Sequence, residues 1–373
     1  MNRKGNIYEK MWTMENLIEA HRCARKDKRL YKEVQMVDKN TEYYLWKIRN
    51  MMLKEKYHIN ADDYSVSIIW DKTKQRELWK LKYYPHRIIQ WAIMLQIEDI
   101  FMKTFTNFTC ASIKWRWWRQ VMYLMDKYMR DKEWTQYCLK LDIKKFYPNI
   151  NHRILKKLLR KKIKDKKVLS LLDMIIDSYP WRRWLPIWSY LSQFLANYYL
   201  AYFDHRIKET LRCKYVIRYM DDIVILWSSK KHLRYIYKRI KAYLHWNLAL
   251  DVKENRQIFP TWIRWVDFVW YRYFYWYRLL RKSTCKKFKT KVKELVTRIT
   301  INKPWTYRNW ASINSYGWWL SKCDSWRLYE KYIEPILPWV VKYYKENINK
   351  IKARKFSSNI RWLKWKHINY NFN

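Results

Sequence analysis

The chain has 373 residues, of which 49% are hydrophobic, a composition that argues against intrinsic disorder and allows a sizeable core. Its 79 Lys and Arg against 33 Asp and Glu give a formal net charge of +46, which favours a polyanionic partner, above all nucleic acid. The six cysteines lack zinc-type spacing, and no signal peptide or apolar run of about 18 residues occurs, so we expect a soluble, intracellular protein with reduced thiols.

The first part of the chain mixes helical and strand-like patterns. Residues 14–57 are charged with a helical period, and residues 64–83 predict two strands around a polar turn. Residues 84–106 become helical after a proline, and residues 137–143 form a short apolar strand. This order predicts helices, then a hairpin, then the first strand of a central sheet.

The second part of the chain continues with helices that alternate with strands. Asn151 can cap a helix, and residues 189–210 carry apolar side chains at helical spacing. Residues 215–227 are two apolar runs that form a hairpin, residues 265–280 are aromatic and strand-like, and the chain is basic and helical from about residue 283. The pattern predicts an α+β core followed by a basic helical appendage.

Two adjacent acids, Asp221 and Asp222, stand at the tip of the predicted 215–227 hairpin. A plain turn would explain them, because Asp tolerates unusual turn dihedrals. Asp142, however, ends a second apolar strand, and if the two strands are neighbours, three carboxylates meet at one sheet edge. Such carboxylates raise one another's pKa unless a cation neutralises them, and Mg²⁺ prefers oxygen ligands of this kind. The acids therefore predict a site for two metal ions that acts on phosphates.

Three motifs in order resemble the palm of reverse transcriptases: KLDIKKFYPNI (140–150), LPIWSYLSQFLAN (185–197) and RYMDDIVIL (218–226). The resemblance extends over about residues 15–330. It implies a right-hand polymerase fold of the α+β class, with N-terminal helices and fingers over 1–135, a palm over 136–280 and a basic helical thumb over 281–373. Fingers and palm interleave, since 165–185 would be partly fingers.

The resemblance also implies roles for the site residues in an RNA-directed DNA polymerase. Asp142 and Asp221 would bind two Mg²⁺ ions, with Mn²⁺ as the alternative ion, and Asp222 would support the site. Tyr147 matches the aromatic gate that excludes a ribose 2′-hydroxyl, although a core aromatic would also fit the pattern. Lys253 stands near the place of a lysine that could protonate pyrophosphate.

Further residues would bind the incoming deoxynucleotide or the primer. KQRELWKLKYYPHR resembles the fingers segment that binds the triphosphate, although a solvated basic face would explain its charges equally well. VDFVWYRY (266–273) resembles the strand pair that grips the primer. The nucleotide-binding candidates are Arg76, Arg87, Lys74, Lys82, Tyr147, Ile187, Ser192 and Gln193, and the primer-grip candidates are Phe268, Val269, Trp270 and Tyr271.

The stretch IWSYLSQ (187–193) is the most informative within the family. Ser192 and Gln193 resemble the reverse transcriptases of diversity-generating retroelements, and Ile187 is associated there with relaxed selectivity opposite template adenines. The resemblance implies an RNA template, a DNA primer, a small basic accessory protein and a bacterial or phage-encoded cytoplasmic enzyme. The absence of a maturase or endonuclease extension agrees with that group.

Three alternatives remain open at the level of the sequence. The first is another bacterial reverse transcriptase, of the group II intron or retron class. The second is a catalytically impaired RNA-binding protein on the same fold, which would bind RNA with steep salt dependence but incorporate nothing. The third is a structural Trp-rich protein, which would leave the motif order unexplained.

Tryptophan stands where the resembled motifs have glycine. The chain has 26 Trp and 2 Gly, whereas average usage of about 7% predicts about 26 Gly. A codon read as glycine in one genetic code and as tryptophan in another would explain the exchange, whereas a truly Trp-rich chain could use Trp to stack bases. Trp91 and Trp319 look genuine. The positions at which the motifs indicate glycine are Trp115, Trp117, Trp184, Trp188, Trp265, Trp270 and Trp318.

Overall fold

A computed structural model describes residues 3–71, 74–179, 182–186 and 189–353. The chain forms two compact units. The first comprises Met1–Leu124 and Tyr137–Phe259, and the second comprises Met125–Gln136 and Pro260–Asn373. Helices and antiparallel sheets occur together, which confirms the predicted α+β class.

The first unit begins with helices, as the charged helical pattern predicts. Thr13 and Asn40 cap two of them, since their side chains accept hydrogen bonds from Asn16 N and Tyr43 N. The apolar faces of these helices are buried, which explains why a charged sequence folds here. The helices are α1 (Tyr8–Met11), α2 (Met14–Ala24), α3 (Lys32–Lys39) and α4 (Thr41–Leu53).

An antiparallel hairpin follows and confirms the two predicted strands, β1 (Tyr64–Asp71) and β2 (Lys74–Leu81). The chain then enters α5 (Ile88–Met102), which is apolar on most of its surface and largely buried. An apolar helix of this kind belongs to a protein interior rather than to its surface. Helix α6 (Trp117–Met129) comes next.

A four-stranded sheet forms the centre of the first unit, with strand order β4-β5-β3-β6. Its strands β4 and β5 consist mostly of buried residues and β3 is half buried, which is why their sequences are nearly continuous apolar runs. The elements are β3 (Tyr137–Asp142), α7 (Phe146–Asn149), α8 (His152–Leu159), α9 (Lys166–Asp177), α10 (Tyr190–Tyr199), α11 (Ala201–His205), β4 (Tyr215–Tyr219), β5 (Asp222–Trp227), α12 (Lys230–Leu248) and β6 (Gln257–Pro260).

The second unit contains a small antiparallel sheet and the basic helices predicted for the C-terminal part. Within the described residues, no helix is long and apolar enough to cross a membrane. The strands are β7 (Val266–Phe268), β8 (Tyr271–Tyr273) and β9 (Arg278–Leu280). The helices are α13 (Lys282–Thr300), α14 (Tyr307–Leu320), α15 (Trp326–Tyr332), α16 (Leu337–Glu346) and α17 (Ile348–Ala353).

Candidate active site

The central sheet brings the three predicted acids to one edge. Strands β3 and β5 are antiparallel neighbours, and their register pairs Asp142 directly with Asp222. Asp221 lies in the turn between β4 and β5, and its carbonyl oxygen accepts a hydrogen bond of 3.2 Å from Ile143 N. Asp142 and Asp222, which are 80 positions apart in the chain, therefore meet because two short apolar strands pair in this register.

Asp221 is strongly affected by its surroundings. Burial, followed by the neighbouring carboxylates of Asp142 and Asp222, raises its pKa from 3.8 to about 7. Lys253 opposes this shift only weakly. A carboxyl group in such an environment favours either a proton or a bound cation.

The ammonium group of Lys253 already places one positive charge against this cluster. Its Nζ donates a hydrogen bond of 2.6 Å to Asp142 Oδ2, and its backbone N donates one of 2.9 Å to Asp142 O. The ammonium group and the carboxylate are both partly exposed, so water screens the pair. The structure thus places the predicted proton donor directly on a predicted metal ligand.

The donor atoms of the cluster suit a hard cation. Asp142 Oδ1 is buried and has no hydrogen-bond partner among the described residues, so one ligand oxygen is left unsatisfied. In the described part of the chain, no three His, Cys, Asp or Glu side chains already stand in metal-binding geometry. Carboxylate oxygens are nevertheless the ligands that Mg²⁺ and Mn²⁺ prefer. The carboxylate oxygens are therefore suitable ligands for such an ion, and Lys253 contacts one of them, Asp142 Oδ2.

Tyr147 lies beside the turn that carries Asp221. Its hydroxyl is 3.6 Å from Met220 Sδ, and burial together with the negative charge of Asp221 raises the pKa of Tyr147. The backbone around it is fixed, because Leu185 N donates a hydrogen bond of 3.1 Å to Tyr147 O. The ring is therefore held next to the acids, as a gate over the sugar would require.

A fully buried ion pair, not predicted from the sequence, holds the turn in place. Arg218 donates to Asp204 through Nε at 2.7 Å and through a terminal nitrogen at 2.6 Å, and both side chains are completely buried. The same guanidinium donates to Met220 O at 3.0 Å and to Asn197 Oδ1 at 3.1 Å. One available signal was a single charge inside the apolar strand VIRY, since buried Arg almost always has a partner.

The nucleotide-binding candidates are spread over the first unit. Arg87 precedes α5, burial lowers its pKa, and its Nε has no described hydrogen-bond partner. It lines a small cavity together with Gln90, and the Gln90 side chain accepts a 2.7 Å hydrogen bond from Ser189 Oγ. Lys82 is exposed and lies 3.7 Å from Asp63. Lys74 and Arg76 are on β2, and their side chains lie outside the described part.

Two of the three subclass residues can be placed. Ser192 is fully buried on α10, with its hydroxyl 3.5 Å from that of Tyr179. Gln193 accepts a hydrogen bond of 3.0 Å from Ser112 Oγ. Ile187, like Trp188, lies outside the described residues.

The predicted primer grip is a hairpin within the second unit. Phe268 ends β7 and Tyr271 begins β8, and the two are paired in register and buried. Val269 and Trp270 form the two-residue turn between them, with φ of 37° and 71°. Tyr271 donates a hydrogen bond of 3.2 Å from its hydroxyl to Trp319 O.

Comparison with known proteins finds one family match, in the central region of the chain. Residues 71–256 match the family model described as reverse transcriptase (RNA-dependent DNA polymerase). No curated protein matches the chain. One similar solved structure is that of telomerase from Candida albicans in complex with a fragment of telomeric RNA, at 11% identity and a TM-score of 0.44. The alignment covers 67% of this chain and 55% of that one.

We predict that Arg218→Met destabilises the fold by about 3–5 kcal/mol, because it leaves the Asp204 carboxylate buried without its partner. Arg22→Met is the matched control, since Arg22 pairs with Glu19 on the surface, where water screens the pair, and its loss should change stability little. Urea unfolding measures both values. Equal effects of the two substitutions would contradict the anchoring role.

We predict that Asp221→Asn makes the protein more stable at pH 8 and has little effect near pH 4. Because folding raises the pKa of Asp221 from 3.8 to about 7, the folded state binds its proton more tightly than the unfolded state does. The free energy of unfolding of the parent protein therefore falls as pH rises from 3.8 to about 7. Asparagine does not titrate in this range, so the variant avoids this loss, which we expect to be roughly 2–4 kcal/mol.

The measurement is urea unfolding from pH 4 to 8 in EDTA, so that no divalent ion occupies the carboxylates. Asp62→Asn, at an exposed acid, is the control and should change stability little at any pH. A gain for Asp221→Asn that does not depend on pH would argue against the shifted titration.

Proposed function

We propose that this chain, in which residues 71–256 form a reverse transcriptase domain, copies an RNA template into DNA by extending a primer 3′-hydroxyl. The enzyme class is RNA-directed DNA polymerase, a nucleotidyltransferase. The observation that carries the proposal is the meeting of Asp142, Asp221 and Asp222 at one sheet edge inside the matched region.

In this proposal Asp142 and Asp221 would hold two Mg²⁺ or Mn²⁺ ions, and Asp222 would support them. Such ions, when bound, neutralise neighbouring carboxylates and stabilise charge on phosphate oxygens. The raised pKa of Asp221 and the unsatisfied Oδ1 of Asp142 support this role. Tyr147, held beside the turn, would exclude a ribose 2′-hydroxyl and so select deoxynucleotides.

Lys253 would act as the general acid for the departing pyrophosphate. Its ammonium group lies 2.6 Å from Asp142 Oδ2, so it is already within the reacting region. To donate its proton to a phosphate oxygen it must leave this carboxylate, which a cation bound to Asp142 would favour by competing for the same oxygen. General acid catalysis of this kind contributes about 10²–10⁴-fold to a rate.

Other parts of the chain would bind the substrates. We assign nucleotide binding to Arg76, Arg87, Lys74 and Lys82, and the primer to the hairpin of residues 268–271. The residues before 136 would form the fingers, those up to 280 the palm, and the basic helices after it the thumb. The unpartnered Nε of the partly buried Arg87 supports its role, because such a group favours an anionic ligand.

The net charge of +46 supports RNA as the template partner. Within the first unit, α8 and the segment before Trp184 line a groove in which Arg153, Lys157, Arg182 and Arg183 are exposed. Neighbouring cations in the groove are neutralised, for example Lys156 by Asp177 at 2.5 Å. The exposed four leave the groove with an excess of positive charge suited to a phosphate backbone.

We further propose that the enzyme is the error-prone polymerase of a diversity-generating retroelement. Ser192, Gln193 and Ile187 support this subclass by their resemblance, with a group II intron or retron enzyme as the alternative. A small basic accessory protein and a structured RNA from the same cassette would be its partners, in the bacterial or phage-infected cytoplasm.

Primer extension on an RNA template with deoxynucleotides and Mg²⁺ tests the activity. The assay compares two versions of the protein, one with tryptophan and one with glycine at positions 115, 117, 184, 188, 265, 270 and 318. Asp142→Ala and Asp221→Ala should each lower the extension rate by roughly 1,000-fold or more, because several kcal/mol of charge stabilisation are lost. Asp62→Ala, at an exposed acid, should leave the rate unchanged.

Extension that persists in both carboxylate variants, or is absent from both versions of the chain while RNA binding is retained, would contradict the polymerase assignment. Sequencing of the products addresses the subclass separately. Misincorporation concentrated opposite template adenines supports the retroelement enzyme, and uniform fidelity across the four template bases favours the alternative.

We predict that Lys253→Met binds Mg²⁺ more tightly but extends primers about 100-fold more slowly, because it removes both a competing cation and a proton donor. The gain in metal binding should be about 1 kcal/mol or less, the range of a screened pair. The rise in melting temperature with Mg²⁺ reports binding without activity. Lys241→Met, at an exposed lysine of α12, is the control, and weaker Mg²⁺ binding by Lys253→Met would refute the competition.

A further inference from the structure

Tryptophan occupies backbone conformations that favour glycine. Fourteen non-glycine residues in the described part have positive φ, and four of them are tryptophans: Trp115 at 68°, Trp117 at 26°, Trp184 at 116° and Trp270 at 71°. The chain has 33 Tyr and 12 Phe, yet none of those described has positive φ, and neither does either glycine. Tyrosine and phenylalanine therefore avoid this region, as expected from sterics, and tryptophan is the one aromatic residue type of the described part that enters it.

The turn at Trp270 specifies glycine most clearly. Phe268 and Tyr271 are paired in register, so Val269 and Trp270 are the central residues of a two-residue hairpin, and both have positive φ. This is the signature of a type I′ turn, whose second central position is typically glycine. Arg281 N donates a hydrogen bond of 2.9 Å to Trp270 O, which fixes the peptide in place.

The backbone at Trp184 is held equally firmly. Trp184 N donates to Ile150 O at 3.0 Å, and the Trp184 carbonyl oxygen lies 2.8 Å from His152 Nε2. These contacts prevent the φ of 116° from relaxing, although this value lies outside the left-handed region open to residues with a Cβ. Only glycine adopts such a conformation without strain.

Burial does not explain the indoles at the other two positions. Trp115 is 92% exposed and Trp117 is 55% exposed. Between them, the Arg116 guanidinium donates a hydrogen bond of 2.6 Å to Thr106 O, which anchors the segment. A large apolar side chain that stays in water while its backbone is strained gains little from being there.

We infer that positions 115, 117, 184 and 270 are glycine positions of the working protein, and that its own cells insert glycine there by reading UGA as glycine. The strained dihedrals and the composition of 26 Trp against 2 Gly are separate observations with this common explanation. Trp91 and Trp319 differ, since neither has positive φ and both lie inside helices, and Trp91 stacks on Tyr190 with ring centroids 4.6 Å apart. Those two positions carry tryptophan.

Peptide mass spectrometry of the protein purified from its own cells tests the inference directly and requires no polymerase activity. Glycine at the four positions and tryptophan at 91 and 319 is the expected result, with UGA codons at the former and UGG at the latter. UGG codons at 115, 184 and 270, or tryptophan in those peptides, would overturn it.

Paired substitutions test the backbone argument independently. Glycine and alanine both remove the indole, but only glycine relieves a positive φ, so each glycine variant at the four positions should melt about 2 °C or more above its alanine counterpart. At Trp91 and Trp319 the order should reverse, because alanine is the better helix former. Alanine variants that melt as high as the glycine variants at 184 and 270 would refute the strain.

Discussion

The buried ion pair between Arg218 and Asp204 is the interaction on which the candidate active site depends. Two charges without access to water are tolerated only when every donor and acceptor is satisfied. Arg218 meets this condition by bonding Asp204, Asn197 and the carbonyl oxygen of Met220. The last bond fixes the turn that presents Asp221, so the position of this partly buried acid is determined by a charge in the core.

A second constraint is the mutual repulsion of the acids. Asp142 and Asp222 are paired across strands and Asp221 is close to both, so their charges add to the effect of burial, which is the main reason that the pKa of Asp221 lies far above its ordinary value. The chain has 79 Lys and Arg, enough to neutralise the three carboxylates with several cationic side chains. Instead, Lys253 contacts one oxygen of Asp142, and the other has no hydrogen-bond partner within the described part of the chain. The cluster is therefore partly neutralised in a way that still suits a bound cation.

Local pattern was sufficient to predict most of the elements that build the site. The 64–83 hairpin, the strand that ends at Asp142 and the hairpin around Asp221 all follow from short apolar runs bounded by turns, and all three are present. The convergence of the acids was predicted only on the condition that β3 and β5 are neighbours. Strand order and register come from pairing between distant segments, which no local pattern specifies.

Contacts of long sequence separation were the part that the sequence could not supply. Lys253 was predicted to be near the reaction, but its contact with Asp142 joins residues 111 positions apart. The partner of Arg218 could not be chosen, because several acids in the chain were equally available to it. Both pairs are set by how helices and strands pack, and packing is a property of the whole unit.

The amino-acid sequence by itself determined the α+β class, the apolar strands, the acids at their ends and the unusual excess of tryptophan over glycine, since each is a matter of composition or of neighbours in the chain. Tertiary structure decided which acids lie close together, which cationic side chain contacts them and which tryptophans have positive φ. Those features depend on hydrogen bonds such as that from Trp184 N to Ile150 O, which form only when separate segments are held together by a common core.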